Sequence, residues 1–377
     1  MMFSRKLKLF RLFGFEVGID PSWVVLAILV AWSLSTGYFP FKYQDLAARQ
    51  YWIMGILGAV GLFVSIVAHE FSHSLVARRS GLPMKGITLF IFGGVAEMEG
   101  EPARPRDELW IALAGPGASF AMAGLFYGLS MLTQTVGALF SVSAVSGYLG
   151  FVNLVLALFN LVPAFPLDGG RVLRAALWAW KDNLKWATRV ASRAGEGFGL
   201  LLIILGIMRI LSGYFIGGMW FFLIGMFVRS AAQLSFRQLM TRRALEGESL
   251  QRFMNEAPVT VAPEISLERL VEDYIYRFHH KLFPVVQDGR LVGCITTRQV
   301  KEVPREQWAR TRVGDLVQAC SEENTIGPES DAVQALAAMH RSDAGRLMVV
   351  RGERLLGIIA LKDLLHFLSL KIELEQA

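Results

Sequence analysis

Long unbroken apolar runs, rather than short periodic stripes, fill the first two thirds of the chain. Six are long enough to cross a bilayer, which takes about 20 predominantly apolar residues. They lie near residues 21–39, 51–77, 108–132, 139–164, 196–212 and 214–234. Between the second and third runs the pattern changes. Ile87-Thr88-Leu89-Phe90-Ile91-Phe92 reads as a strand, Gly93-Gly94 as a turn and Val95-Ala96-Glu97-Met98 as a returning strand. A β-hairpin at or in the membrane is therefore expected, covered by protein or lining a wet cavity so that its backbone groups are satisfied.

Beyond about residue 240 the long runs stop and an internal repeat begins. Pro258-Val259-Thr260-Val261-Ala262-Pro263-Glu264 is echoed by Asn324-Thr325-Ile326-Gly327-Pro328-Glu329. Leu291-Val292-Gly293-Cys294-Ile295-Thr296 is echoed by Leu355-Leu356-Gly357-Ile358-Ile359-Ala360. Each copy reads helix, strand, strand, helix, and two such half-units complete one core together. The pattern thus predicts an α-helical polytopic membrane protein of about six spans with a membrane-associated β-hairpin, over residues 1–239. A soluble α/β domain follows over residues 248–370, in halves 248–305 and 311–370.

Composition agrees with that division. Of the 377 residues 53% are hydrophobic and the mean hydropathy is +0.42, too apolar for an ordinary soluble enzyme. Residues 1–239 hold 20 Lys and Arg against 12 Asp and Glu, and residues 240–377 hold 18 against 20. The basic excess belongs to membrane loops, so nucleic-acid binding is not inferred from it. An inside N-terminus places 17 of the 20 basic residues of the first part on the cytosolic side, leaving Lys42, Arg49 and Arg209 outside. With six spans, both termini are then cytosolic and the protein is multi-pass in the cell membrane. The basic start, Arg5, Lys6, Lys8 and Arg11, is read as the flank of the first span, since no small-residue cleavage site follows it. Two cysteines, Cys294 and Cys320, make no disulfide framework and suit a reducing compartment. Trp178, Trp180 and Trp186 read as interfacial anchors.

Against this apolar background one stretch stands out. His69-Glu70-Phe71-Ser72-His73 closes the second apolar run. Two His four apart share one helix face and can share a metal ion, while Glu70 is placed to take a proton from water at that metal. Ionisable residues at membrane depth are costly and usually functional. A tetrahedral zinc needs one more protein ligand, with water in the fourth place. His279, His280, His340 and His366 all lie in the soluble part. The best remaining candidate is Asp168, in Asn160-Leu161-Val162-Pro163-Ala164-Phe165-Pro166-Leu167-Asp168-Gly169-Gly170-Arg171 at the inner end of the fourth run. Capping of the following helix is the competing role for Asp168; alongside an intramembrane H-E-x-x-H, ligation is the stronger reading.

These two motifs resemble the site-2 proteases, the M50-type zinc intramembrane proteases, over most of residues 10–235. Ala114-Gly115-Pro116, read as a turn opening the third span, resembles the family too, and Ser119 departs from it where many members carry Asn. The resemblance implies a zinc metalloendopeptidase with one Zn2+ per chain held by His69, His73 and Asp168, Glu70 as the catalytic carboxylate, and Asn160 near the substrate or oxyanion. It implies that the hairpin pairs with an extended substrate. It also implies a transmembrane substrate protein within the lipid bilayer, such as an anti-sigma factor, a pro-sigma factor or a signal-peptide remnant. The repeat resembles a cystathionine-β-synthase-type (CBS) domain pair. Such pairs often bind ATP or AMP as a regulatory ligand, and others only dimerise or dock a partner, so a homodimer through this domain also stands as an implication. Asp363 matches the ribose-binding acid of the family pattern in the second repeat. The first repeat has Gln299 there but keeps the preceding hydroxyl as Thr296. A metal-ion or solute transporter with regulatory CBS domains is the alternative function, though it has no use for Glu70 beside the ligands.

Overall fold

The computed structural model describes residues 7–12, 14–82, 84–90, 93–98, 101–136, 139–342 and 344–376. In chain order the first elements are β1 (Leu7–Leu12), β2 (Phe15–Ile19), α1 (Pro21–Ser33) and α2 (Phe39–Lys42), the last two joined by a π-helical turn at Leu34–Tyr38. They are followed by α3 (Ala48–Arg79), β3 (Met84–Phe90), β4 (Gly93–Met98), α4 (Pro105–Thr133) and α5 (Phe140–Asn160). Then come α6 (Asp168–Lys181), α7 (Leu184–Leu211) and α8 (Phe215–Leu245). Six of these stretches are long and apolar enough to span a membrane: Pro21–Lys42, Ala48–Arg79, Pro105–Thr133, Phe140–Asn160, Leu184–Leu211 and Phe215–Leu245. Apolar side chains such as Ile28, Leu125 and Leu211 stay exposed on them, as a lipid-facing surface requires.

The strands form one four-stranded sheet in the order β1-β2-β3-β4, with β2 and β3 parallel and the other neighbours antiparallel. This enlarges the expected hairpin. Residues 7–12 are a strand as well as a span flank, because Phe15, Val17 and Ile19 alternate inward while Glu16 points out to Lys8 and Arg11. Gly93 and Gly94 lie within β4, opposite Phe90 and Leu89, rather than in a turn; Ile91 and Phe92 lie outside the described residues. Ile19, Ile87 and Leu89 pack on Val67 of α3, with Trp23, Phe63 and Phe71 around them. The sheet therefore rests on the part of α3 that carries the two His. Asp20 caps α1 by accepting from the Ser22 N–H at 2.9 Å, ahead of Pro21 at the first turn.

Two further departures from the sequence reading concern helices. Gly115 and Pro116 sit inside α4 rather than in a turn at its start, since α4 already begins at Pro105. Proline there removes the N–H that would bond the Ala112 carbonyl, yet the surrounding apolar run keeps the helix going. The fourth span ends at Asn160; a loop then folds back over the first turn of α6, where Gly169 and Gly170 leave room for Leu161, Val162, Ala164 and Phe165 backbone atoms. The Phe165–Pro166 peptide is cis.

The chain divides into two units, Met1–Arg237 and Gln238–Ala377. In the second, the first repeat comprises α9 (Leu267–Arg269) and α10 (Tyr276–Phe278), joined by a π-helical turn at Leu270–Ile275, then β5 (Leu282–Gln287), β6 (Arg290–Thr296) and α11 (Thr297–Glu302). After the short strands β7 (Gln318–Ala319) and β8 (Thr325–Ile326), the second repeat supplies α12 (Ala332–Ser342), β9 (Arg346–Arg351), β10 (Arg354–Ala360) and α13 (Leu361–Gln376). Each repeat has its own core, one around Phe283 and Val285 and the other around Leu347 and Ile359. Leu291, Cys294, Met348 and Ile358 join them, so the halves share a seam.

Candidate metal centre

His69 and His73 are one turn apart on α3 and both are 4% exposed. Burial at this depth demands a partner for each ring nitrogen, and α4 supplies two. His73 Nδ1 lies 2.6 Å from the Ile111 carbonyl oxygen, and His69 Nδ1 lies 2.9 Å from Ser119 Oγ. A carbonyl can only accept, so His73 carries a proton on Nδ1 and turns Nε2 toward the third group. With Ser119 accepting from Nδ1, His69 presents Nε2 in the same way.

The third group comes from α6. Leu167 is the N-cap residue of that helix and no side-chain cap bond is made. Asp168 stands one residue later, and its carboxylate faces the His pair instead. Its Oδ2 is 3.1 Å from His69 Nε2 and 3.2 Å from His73 Nε2, and the two Nε2 atoms are 3.3 Å apart. Two imidazole nitrogens and one carboxylate oxygen thus converge, a donor set that a cation stabilises. The separations suit zinc. With bonds of about 2.0–2.1 Å, two ligands of a tetrahedral ion lie about 3.3 Å apart. Two neutral imidazoles and one carboxylate are also a donor set typical of hydrolytic zinc. Among the described residues this is the one group of three His, Cys, Asp or Glu with ligand atoms this close, all within 4.8 Å of one another.

Close approach of α4 depends on Gly115. A Cβ there would run into the Nε2 atoms of both His69 and His73. Gly94 of β4 does the same for the catalytic candidate, since a Cβ at that position would meet Cγ and Cδ of Glu70. Glu70 therefore lies directly against β4, an edge strand of the sheet.

Comparison with known proteins shows the family. Residues 57–205 match the model for peptidase family M50, and residues 250–306 and 313–370 each match that for the CBS domain. Rip3 of Mycobacterium tuberculosis is 34% identical over 361 residues, which is 95% of this chain and 92% of Rip3. The chain belongs to peptidase family M50, the site-2 proteases. A zinc metalloprotease of Methanocaldococcus jannaschii is 31% identical over 84% of this chain and 85% of its own length. The solved site-2 protease from that organism superposes with a TM-score of 0.41 and 27% identity, covering 61% of this chain and 94% of that one. This M50 chain is thus a multi-pass membrane zinc metalloprotease carrying a CBS domain pair.

Several M50 site features were not read from the sequence. Ser119, where the chain departs from the family pattern, lies 2.9 Å from His69 Nδ1. Glu108 and Arg174, both buried, bond each other between α4 and α6. Asn153, fully buried, donates to Ser65 Oγ at 2.8 Å. Ser119 and Asn153 carried a signal, a polar residue inside an apolar run, whereas Arg174 lies outside every such run and Glu108 at the start of one. Asn160, by contrast, is at the end of α5 with its Nδ2 donating to the Leu156 carbonyl at 3.0 Å. One of its two amide protons is committed to its own helix.

The CBS candidates separate. Asp363, in the first turn of α13, lines a cleft of about 400 Å³ with Arg252, Phe253, Asn255 and His366. That size falls within the rough 300–1,000 Å³ range of small-molecule sites. Thr296 caps α11, its Oγ1 2.8 Å from Gln299 Oε1, while Gln299 Nε2 donates to the Leu316 carbonyl at 2.6 Å. Thr296 is not among the residues lining the Asp363 cleft.

Proposed function

We propose that this M50 protease hydrolyses a peptide bond in or beside a transmembrane segment of a substrate protein. In this reading His69, His73 and Asp168 hold one zinc ion and Glu70 is the proton carrier. The observation that carries it is the meeting of His69 Nε2, His73 Nε2 and Asp168 Oδ2, 3.1–3.3 Å apart, with Glu70 beside the His pair on α3. Zinc, when bound, supplies a Lewis acid that polarises the scissile carbonyl and brings the pKa of water toward neutrality. Glu70 accepts the proton of the attacking water on its carboxylate and returns it to the departing amide nitrogen. The second amide N–H of Asn160 donates to the carbonyl oxygen as negative charge develops there.

A bond within a transmembrane helix is hydrogen-bonded and shielded, so the substrate must unwind locally. β4 offers the replacement partner: it is an edge strand, and Gly94 lies against Glu70. An extended substrate added along that edge satisfies its backbone groups beside the catalytic carboxylate. The positive-inside bias supports cytosolic termini and a cell-membrane location, with water reaching the site from the cytosolic side. Residues 1–239 form the protease domain and 248–370 the CBS pair. Within that pair Asp363 bonds ribose hydroxyls of ATP or AMP in the cleft it lines, and the bound nucleotide regulates cleavage; the pair also supplies a surface for homodimerisation.

The test is reconstitution of the full chain in bilayer nanodiscs with single-span reporter proteins, followed by sequencing of the new termini. Cuts within or next to the span that disappear in Glu70→Gln support the reading. Cuts confined to loops, or persisting in Glu70→Gln, contradict it.

A further inference from the structure

The helix that orients the two His is fastened to the helix that carries Asp168 by a buried ion pair. Along one face of α4 lie Glu108, Ile111, Gly115 and Ser119. Ile111 and Ser119 hold His73 and His69, Gly115 lets the imidazoles approach, and Glu108 reaches α6. Glu108 is 0% exposed and Arg174 is 7% exposed. Arg174 Nε donates to Glu108 Oε1 at 2.6 Å, and its Nη2 closes on the same oxygen. Arg174 Nη1 is also 3.8 Å from Glu101 Oε1, and Arg171 Nε is 4.0 Å from Glu108 Oε1. The Arg174 guanidinium lies 5.2 Å from the centre of the Phe165 ring, in the loop that folds over the start of α6. Asp168 is less than two turns away on the same helix.

Stability alone is a weak explanation for such a pair. Burying two charges costs about as much as their attraction returns, and apolar residues of similar volume are often as good or better. Glu108 Oε2 has no hydrogen-bond partner among the described residues, so even this pair leaves one oxygen unsatisfied. What the pair does provide is a fixed distance and direction between α4 and α6.

We propose that Glu108 and Arg174 are positioning residues of the metal centre: their ion pair holds Asp168 Oδ2 on the two Nε2 atoms. The proposal rests on the reading of His69, His73 and Asp168 as zinc ligands. The guanidinium fork fixes orientation in a way a lysine point charge does not. Loss of the pair frees α6 to slide or turn, and the carboxylate leaves the ligand position while the fold persists.

Zinc-loaded full-length protein in detergent tests this through two readouts, the rate of zinc release to a chelator and the melting temperature. Wild type, Asp168→Ala, Arg174→Lys and the double variant Glu108→Met/Arg174→Met are compared. The double variant is expected to melt near wild type while releasing zinc at least about tenfold faster, the scale typical of lost outer-shell support. Arg174→Lys, which keeps the charge, is expected to release zinc several-fold faster and decides the matter if the double variant does not fold. Wild-type release from the folded double variant, or from Arg174→Lys in that case, overturns the proposal. Failure of the ligand reading looks different: wild type then holds no zinc, or Asp168→Ala releases it as slowly as wild type, and the positioning role falls with it.

Discussion

His73 Nδ1 and the Ile111 carbonyl oxygen are 2.6 Å apart, and this bond decides which nitrogen of His73 faces Asp168. Because a carbonyl cannot donate, the bond fixes a proton on Nδ1 and leaves Nε2 as the nitrogen turned to Asp168. Helix α4 can make this bond only by lying very close to α3, and Gly115 is what permits it.

Gly115→Ala is therefore expected to separate folding from metal binding. The new methyl group meets both Nε2 atoms, while alanine itself favours the helix. The purified variant should keep its helical circular dichroism yet hold well under one zinc per chain. Full zinc content would show that α4 has more freedom than this packing implies.

Ser119 is expected to act through His69. Ser119→Ala removes the partner 2.9 Å from Nδ1 and leaves that nitrogen unpaired in a buried site. A loss of about 10–100-fold in zinc affinity is expected, read by chelator competition. Ser119→Asn, which restores a polar partner, should recover part of it.

The two cysteines should differ in reactivity. Burial pushes the Cys294 thiol from 9.0 up to about 11; partial burial also raises the Cys320 thiol, but Cys320 is exposed where Cys294 is buried. At pH 8 the Cys294 thiolate is about a hundredfold scarcer than that of an unperturbed thiol, so alkylation should label Cys320 first. The same difference sets a pH dependence. From about pH 9 the unfolded chain loses this proton while the folded domain keeps it until about 11. Folding stability contributed here is present below that window and falls as pH rises through it. Cys294→Ala should flatten that part of a stability-against-pH curve.

Asp363→Ala is expected to weaken AMP or ATP binding to the full chain at least tenfold by calorimetry, because the residue lines the cleft with Phe253, Asn255 and His366. Thr296→Ala should leave affinity within about twofold, since that hydroxyl is engaged with Gln299. Equal losses from both would move the site to the first repeat.

Much of this architecture was legible in the chain because bilayers impose length and helices impose spacing. The six spans followed from apolar runs, and His69 and His73 from their four-residue interval. Asp168 stood out as the carboxylate at membrane depth able to complete a tetrahedral set with the two His. The sheet was only half seen, because Phe15-Glu16-Val17-Gly18-Ile19 is too short and too close to a span for alternation to stand out, and parallel pairing with β3 is a tertiary event. Ser119, Glu108 and Arg174 escaped for a related reason: periodicity shows which face a residue occupies, and only the packing of α4 on α3 and α6 shows what that face meets.

The most direct measurement counts zinc and cleavage in the same samples of wild type, Glu70→Gln and Asp168→Ala. If His69, His73 and Asp168 hold the ion and Glu70 moves the proton, wild type has one zinc per chain and cuts its reporter. Glu70→Gln then keeps the zinc and loses cleavage by about a thousandfold or more, on the scale of a lost proton carrier, and Asp168→Ala loses both. Zinc retained at wild-type affinity in Asp168→Ala, or cleavage retained in Glu70→Gln, would contradict the account.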